Sequence, residues 1–178
     1  ILVDAAGQNL ISVASGANAR LLPADIDALP EVLFRNAKVF LTCLETPIPT
    51  VARGLQQAKQ AGLFTILNPA PASSDPAVID LLPLVDLLTP NSGEAAQLAG
   101  LPPGPTGVED TTLALQAARI LQSRGCPRVI VTLGAQGCLV VTPDHVQEIP
   151  ACAVDAVDAT AAGDAFNGAL AVALAEGR

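Results

Sequence analysis

Ala37–Cys43 reads AKVFLTC, Leu44–Gly62 reads LETPIPTVARGLQQAKQAG, and Leu63–Leu67 reads LFTIL. The first and last pieces are short apolar runs of the kind buried on both faces of a sheet. Between them, Pro49 to Ala61 carries the spacing of an amphipathic helix, with Thr46 as its expected cap and Gly62 as its stop. A strand, a helix and a second strand in this order predict a parallel pair joined by a crossover. The alternation continues downstream. Leu84–Thr89 is a third expected strand, and helices are expected over Ser92–Ala99 and Asp110–Ser123. Val129–Leu133 is a strand that pairs with Cys138–Thr142 across the turn Gly134 to Gly137. Val146–Ile149 adds one more, and a last helix runs from about Gly163 to Glu176. These elements predict a three-layer α/β/α domain with a predominantly parallel sheet.

The first residues do not fit that repeat. Ile1-Leu2-Val3 and Leu10 to Ala14 flank a turn-like Gly7-Gln8-Asn9, which is a hairpin signature. The expected division is therefore a small β element over residues 1–16 and the α/β core over 17–178, with Leu101–Val108 a surface loop. The chain opens in mid-strand. Its last helix carries Ala169, Leu170, Val172, Ala173 and Leu174, is expected to be buried on most sides, and stops two residues before the end. Both features are expected of a piece of a longer protein.

Composition narrows the function. Half of the 178 residues are apolar and the only aromatics are four phenylalanines, so Val, Ile, Leu and Ala must build the core. The net charge of −8 disfavours nucleic acid, whose phosphates are bound by clustered Lys and Arg. No window resembles a membrane span or a signal peptide. The four cysteines have no close CxxC spacing and the only histidine is His145, which disfavours structural zinc. Buried free thiols in a reducing cytoplasm are the expectation.

Four places offer chemistry. Asp158-Ala159-Thr160-Ala161-Ala162-Gly163-Asp164 joins small residues to a helix start. Free backbone N–H groups there can receive an anion, and Asp164 beside them can take a proton from a hydroxyl. An ordinary cap with small residues for close packing explains the same spacing equally well. Thr132-Leu133-Gly134-Ala135-Gln136-Gly137 reads as a nucleotide loop or as a hairpin turn, and spacing alone favours the turn. Asn91 and Glu94 read either as phosphate and metal contacts or as a cap. Glu45, just past a strand end, reads as a polyol ligand or a solvated loop acid. The rigid Asn68-Pro69-Ala70-Pro71 occupies the matching place after the next strand. No P-loop and no GxGxxG follows a strand, which disfavours dinucleotide chemistry.

Together these motifs resemble the ribokinase family of carbohydrate kinases. DATAAGDAF at Asp158–Phe166, followed by Asn167-Gly168-Ala169-Leu170, is similar to the family signature, with Ala159 where Thr is usual. Asn68-Pro69-Ala70-Pro71-Ala72, Asn91-Ser92-Gly93-Glu94-Ala95 and Thr132–Gly137 match further family stretches. Ser92 stands where a second Glu is common. Val3-Asp4, Gly7-Gln8-Asn9 and Ser15-Gly16-Ala17-Asn18 resemble the end of the family's lid, with Gln8 where Glu is common.

The resemblance implies transfer of the γ-phosphoryl group of ATP to the primary hydroxyl of a furanose, D-ribose O5. It casts Asp164 as base and sugar ligand, Ala161, Ala162 and Gly163 as the anion hole, and Glu45 as a sugar ligand. Thr132 to Gly137, Asn91 and Gly163 become nucleotide contacts. Glu94 becomes a Mg2+ contact, and Asp158 with the Thr160 carbonyl a K+ site. A cytoplasmic homodimer built through the β lid is also implied. The alternatives are a family kinase for deoxyribose, fructose, 2-keto-3-deoxygluconate or a nucleoside, and a non-catalytic sugar- or nucleotide-binding protein of the same fold.

Overall fold

The structure is a computed structural model that describes residues 1–3, 9–10, 12–102, 104, 110–156 and 158–178. Two of the expected features fall elsewhere: Gly7 and Gln8 of the first turn, and most of the Leu101–Val108 loop, lie outside the described residues.

Strands β1 (Leu2–Val3) and β2 (Asn9–Leu10) pair antiparallel in a sheet of their own. Two short helices, α1 (Pro23–Asp27) and α2 (Glu31–Asn36), then lead into the main sheet. That sheet contains β3 (Val39–Thr42), β4 (Phe64–Leu67), β5 (Leu87–Leu88), β6 (Val129–Thr132), β7 (Cys138–Val141) and β8 (Val146–Ile149), in spatial order of sequence. The four strands β3 to β6 are parallel, and β7 and β8 are antiparallel additions.

Helix α3 (Ile48–Gln60) joins β3 to β4 and buries Val51, Leu55 and Ala58. Its cap is Pro47 with no side-chain hydrogen bond, which corrects the expectation for Thr46. The physical reason is that proline already sets the entry backbone. Gly62 closes the helix at φ +78°. Pro76–Leu84 winds into 3-10 turns with Pro83 inside, which shortens the expected third strand to Leu87–Leu88. Helix α4 (Ser92–Ala99) ends on Gly100 in the left-handed conformation. Helix α5 (Thr111–Ser123) starts on Asp110, whose carboxylate accepts from the N–H groups of Thr112 and Leu113. It buries Ala114, Ala117, Ala118 and Leu121, one helical stripe.

Strand alternation explains the layers. Phe40 of β3 turns toward α3, where a Cβ on Gly54 would come within 2.8 Å of the Phe40 ring. Leu41, the next residue, points to the opposite face. There it borders the same cleft as Asp164 and Asn167 of α6 (Ala162–Ala175). The core is the middle of this sandwich: Ile66, Leu67, Leu88, Val129, Val131 and Val141 are inaccessible to solvent. Helix α6 is far less covered than the sequence suggests. Among its described side chains only Asn167 is buried, and Val172 is 58% exposed, because α6 packs along the edge strand β3. The thiols differ too: all four are free, but only Cys126 is buried, and Cys152 is exposed in the segment after β8. Burial pushes the Cys126 thiol up to about 12.

Candidate active site

In a parallel sheet the C-terminal strand ends lie on one rim, which is where open α/β folds bind ligands. Here that rim is stitched by polar groups. The Asn68 N–H donates to the Thr42 carbonyl (2.9 Å), and Asn68 Nδ2 donates to the Thr89 carbonyl (2.7 Å). The Thr132 N–H donates to the Pro90 carbonyl (2.9 Å), and Asn91 forms an isolated parallel bridge with Thr132. The ends of β3, β4, β5 and β6 are thereby held in register.

Helix α6 meets this rim with its N-terminus. Ala161 is its cap and adopts the left-handed conformation at φ +59°. Alanine pays roughly 1–2 kcal/mol for that geometry. The Ala162 N–H reaches back to the Ala159 carbonyl (3.2 Å), and the Ala165 N–H takes the Ala161 carbonyl (2.9 Å). The N–H groups of Gly163 and Asp164 therefore stand ahead of the intrahelical ladder, where a helix offers donors and a positive dipole end. Before the turn, Asp158 Oδ1 accepts from the Thr160 N–H (2.8 Å). That bond and one from the Thr160 hydroxyl hold the exposed Asp158 carboxyl below its ordinary value.

The first turn of α6 borders two clefts. One, of about 360 Å³, lies between Thr132, Gly134, Gly137 and Cys138 on one side and Ala162, Gly163 and Phe166 on the other, with Ile149 to Ala151 as its third wall. The second, of about 220 Å³, is lined by Thr42, Cys43, Asn68, Asp164 and Asn167. Adjacent residues thus face different spaces: Gly163 the first, Asp164 the second. Two motifs separated in sequence, at Thr132–Gly137 and Ala162–Gly163, share one volume.

The remaining expected residues are placed differently. Leu133 is buried in the core, and Ala135 and Gln136 sit exposed on a 3-10 turn without lining the cleft. Gly137 serves a backbone need: at φ +104°, a Cβ there would collide with the Ile149 carbonyl and approach Ala151 N to 2.6 Å. Glu45 is exposed beyond β3 and lines neither cleft. Asn91 and Glu94 form a reciprocal capping box, with Asn91 Oδ1 accepting from the Glu94 N–H (2.8 Å) and Glu94 Oε2 from the Asn91 N–H (2.9 Å). They border a third cleft of about 490 Å³ with Ala72, Gln97 and Leu101. Burial pushes the Glu94 carboxyl up, and the Asn91 N–H offsets only part of that.

Sequence reasoning missed Asn167 and Thr89 as parts of this site. Asn167 is 4% exposed and Thr89 1%, and the Thr89 hydroxyl donates to Asn167 Oδ1 (2.6 Å). The available signal was a polar side chain set inside the apolar run of α6.

The chain matches the pfkB family carbohydrate kinase profile over residues 1–178. The chain belongs to the pfkB family of carbohydrate kinases. Among its pfkB relatives, a bifunctional ribokinase/ribose-5-phosphate isomerase A from Fructilactobacillus sanfranciscensis is 43% identical, over 96% of this chain and 30% of the relative. A deoxyribokinase from Salmonella typhi is 36% identical, over 96% of this chain and 54% of the relative. The crystal structure of a ribokinase from Thermotoga maritima superposes with a TM-score of 0.80 at 34% identity, covering 99% of this chain and 55% of that one. The chain therefore spans about half or less of the length of these pfkB kinases. The three-layer architecture expected from the sequence is the one this fold family displays.

Proposed function

We propose that the protein carrying this chain transfers the γ-phosphoryl group of ATP to the 5-hydroxyl of D-ribose, giving ribose 5-phosphate and ADP. The observation that carries this reading is the shared first turn of α6, with Gly163 on the cleft of the Thr132–Gly137 loop and Asp164 on the cleft of Thr42 and Asn68. The nucleotide occupies the first cleft and the sugar the second. The Asp164 carboxylate takes the sugar hydroxyl proton, the freed oxygen forms the new P–O bond, and the bond to the departing ADP oxygen breaks. The N–H groups of Gly163 and Asp164 receive the negative charge of the transferring group, so positioning and fixed dipoles do most of the work. Glu45, on the exposed loop after β3, belongs to this reading as a sugar ligand, although it lines neither cleft.

Two cations fit the residues present. Asp158, exposed and with its carboxyl held below its ordinary value, is a hard oxygen donor suited, together with the Thr160 carbonyl, to K+. Glu94 keeps one carboxylate oxygen outside its cap, suited to Mg2+ through water. When bound, these ions supply positive potential near the phosphates. The reading includes a cytoplasmic homodimer formed through β1 and β2. Among the described residues no helix is long and apolar enough to cross a membrane.

The test is ADP release by the full-length protein against a panel of pentoses, hexoses, keto-deoxy acids and nucleosides. Highest kcat/KM on ribose is expected. A preference for deoxyribose would support the second reading, which the deoxyribokinase relative favours. Sugar binding without ADP release would overturn the kinase reading.

A further inference from the structure

Asp164 is exposed on the first turn of a helix that is little covered by the rest of the molecule, yet its proposed task needs a fixed position. The buried side chain below it addresses this. Asn167 Nδ2 donates to the Gly163 carbonyl (2.9 Å), and Asn167 Oδ1 accepts from the Thr89 hydroxyl (2.6 Å). The Gly163 carbonyl and the Asp164 N–H belong to one rigid peptide plane. A bond to that carbonyl therefore orients both the N–H and the Cα of Asp164.

Thr89 is itself fixed. Its N–H donates to the Leu67 carbonyl (3.0 Å), and its own carbonyl accepts from Asn68 Nδ2. Asn68 is in turn tied to Thr42. One hydrogen-bond chain thus runs from Thr42 through Asn68, Thr89 and Asn167 to Gly163. Its first end, Thr42, lines the cleft that Asp164 shares with Thr42 and Asn68, and its last end is the carbonyl of the peptide that carries the Asp164 N–H. A buried amide in an otherwise apolar helix loses stability unless both its ends are bonded, and here both are.

We propose that Asn167 is a positioning residue, which with Thr89 sets the distance between Asp164 and the strand ends that hold the sugar. This rests on the reading of Asp164 as the base. Both polar ends of the Asn167 side chain are taken by Gly163 and Thr89, so it acts through the 163–164 peptide. Misplacing a catalytic group by about 1 Å can cost on the order of 100-fold in rate.

The test is a kinetic cycle in the full-length protein. Asn167→Leu keeps the branching of the side chain at a larger volume and removes both bonds. Thr89→Val is nearly isosteric and removes only the hydroxyl, so it serves even if Asn167→Leu folds poorly. We expect kcat to fall by roughly 10- to 100-fold in Asn167→Leu and by about threefold to tenfold in Thr89→Val, with KM for ATP within about twofold. In an Asp164→Asn background, either change should lower kcat by less than about threefold, because the group being positioned is gone. Losses that multiply in full in that background overturn the positioning role and leave the base reading intact. So does folded Thr89→Val protein with unchanged kcat. Near-normal kcat in Asp164→Asn alone overturns the base reading, and the positioning role with it.

Discussion

The Ile149 carbonyl occupies the space that a side chain at Gly137 would need. The contact locks the turn between β6 and β7 against the chain leaving β8, and so sets one corner of the cleft that this turn shares with α6. Gly62 is also in the left-handed region, at φ +78°, but a Cβ there would meet nothing within 4 Å. Gly62→Ala should therefore cost only about 1–2 kcal/mol of backbone strain. Gly137→Ala adds backbone overlap and should cost roughly 3 kcal/mol or more. Urea unfolding of both variants checks this, and equal losses would refute the steric argument.

Asp164→Asn keeps the size of the side chain and removes the proposed base. The expected fall in kcat is at least about 100-fold, or roughly 3 kcal/mol of transition-state stabilisation. KM for ATP should change far less, because in the proposed reading Gly163 meets the phosphates through its backbone. A folded variant with kcat within about threefold of the parent would show that another group takes the proton.

Glu94 separates capping from metal binding. Its carboxyl is raised in the folded state, so the stability tied to it is present below the unfolded value of 4.5 and lost as pH rises through the higher folded value. Glu94→Gln retains the acceptor for the Asn91 N–H and removes that loss. Unfolding at neutral pH should be unchanged or slightly harder, within about 1 kcal/mol. The Mg2+ concentration for half-maximal rate should rise about fivefold or more. An unchanged Mg2+ dependence would leave Glu94 a cap alone.

Asp86 should govern acid stability. Burial alone would raise its carboxyl, but hydrogen bonds from Lys59 Nζ (2.7 Å), the Thr65 N–H (2.9 Å) and the Thr65 hydroxyl (3.0 Å) outweigh it and hold it below 3.8. The contribution is at full size above that unfolded value and is lost as pH falls through the lower folded one. Asp86→Asn should cost about 1–3 kcal/mol at neutral pH, and the gap to the parent should close in acid. A gap independent of pH would contradict this.

Potassium gives a separate check. At constant ionic strength, replacing a large organic cation with K+ should raise kcat, and Asp158→Ala should abolish the response. Equal rates in both salts would remove Asp158 and Thr160 from the cation site.

The parts legible in the sequence were those with local signals. Helix α4 was read at its observed ends because Asn91, Glu94 and Gly100 mark them chemically. Helices α1 and α2 were missed, since five and six residues that bury nothing leave no periodic stripe. The exposure of α6 was misread because composition reports hydrophobicity without saying what lies opposite. For the site, Asp158 to Asp164 named the helix start, but the division of Gly163 and Asp164 between two clefts depends on where strand order places β3 and β6. Asn167 escaped because its partner, Thr89, lies 78 positions away.

The cleft between the Thr132–Gly137 turn and the start of α6 has no charged side chain among its lining residues. An anion entering it meets the partial charges of peptide groups fixed to the rim, and not mobile ammonium or guanidinium heads. Salt weakens attraction between exposed full charges far more than hydrogen bonds made at short range inside a cleft. Recognition built in this way is tolerant of ionic strength but intolerant of main-chain movement. It is a surface read by shape, and its selectivity is lost through disorder of the turn sooner than through changes in the surrounding electrolyte.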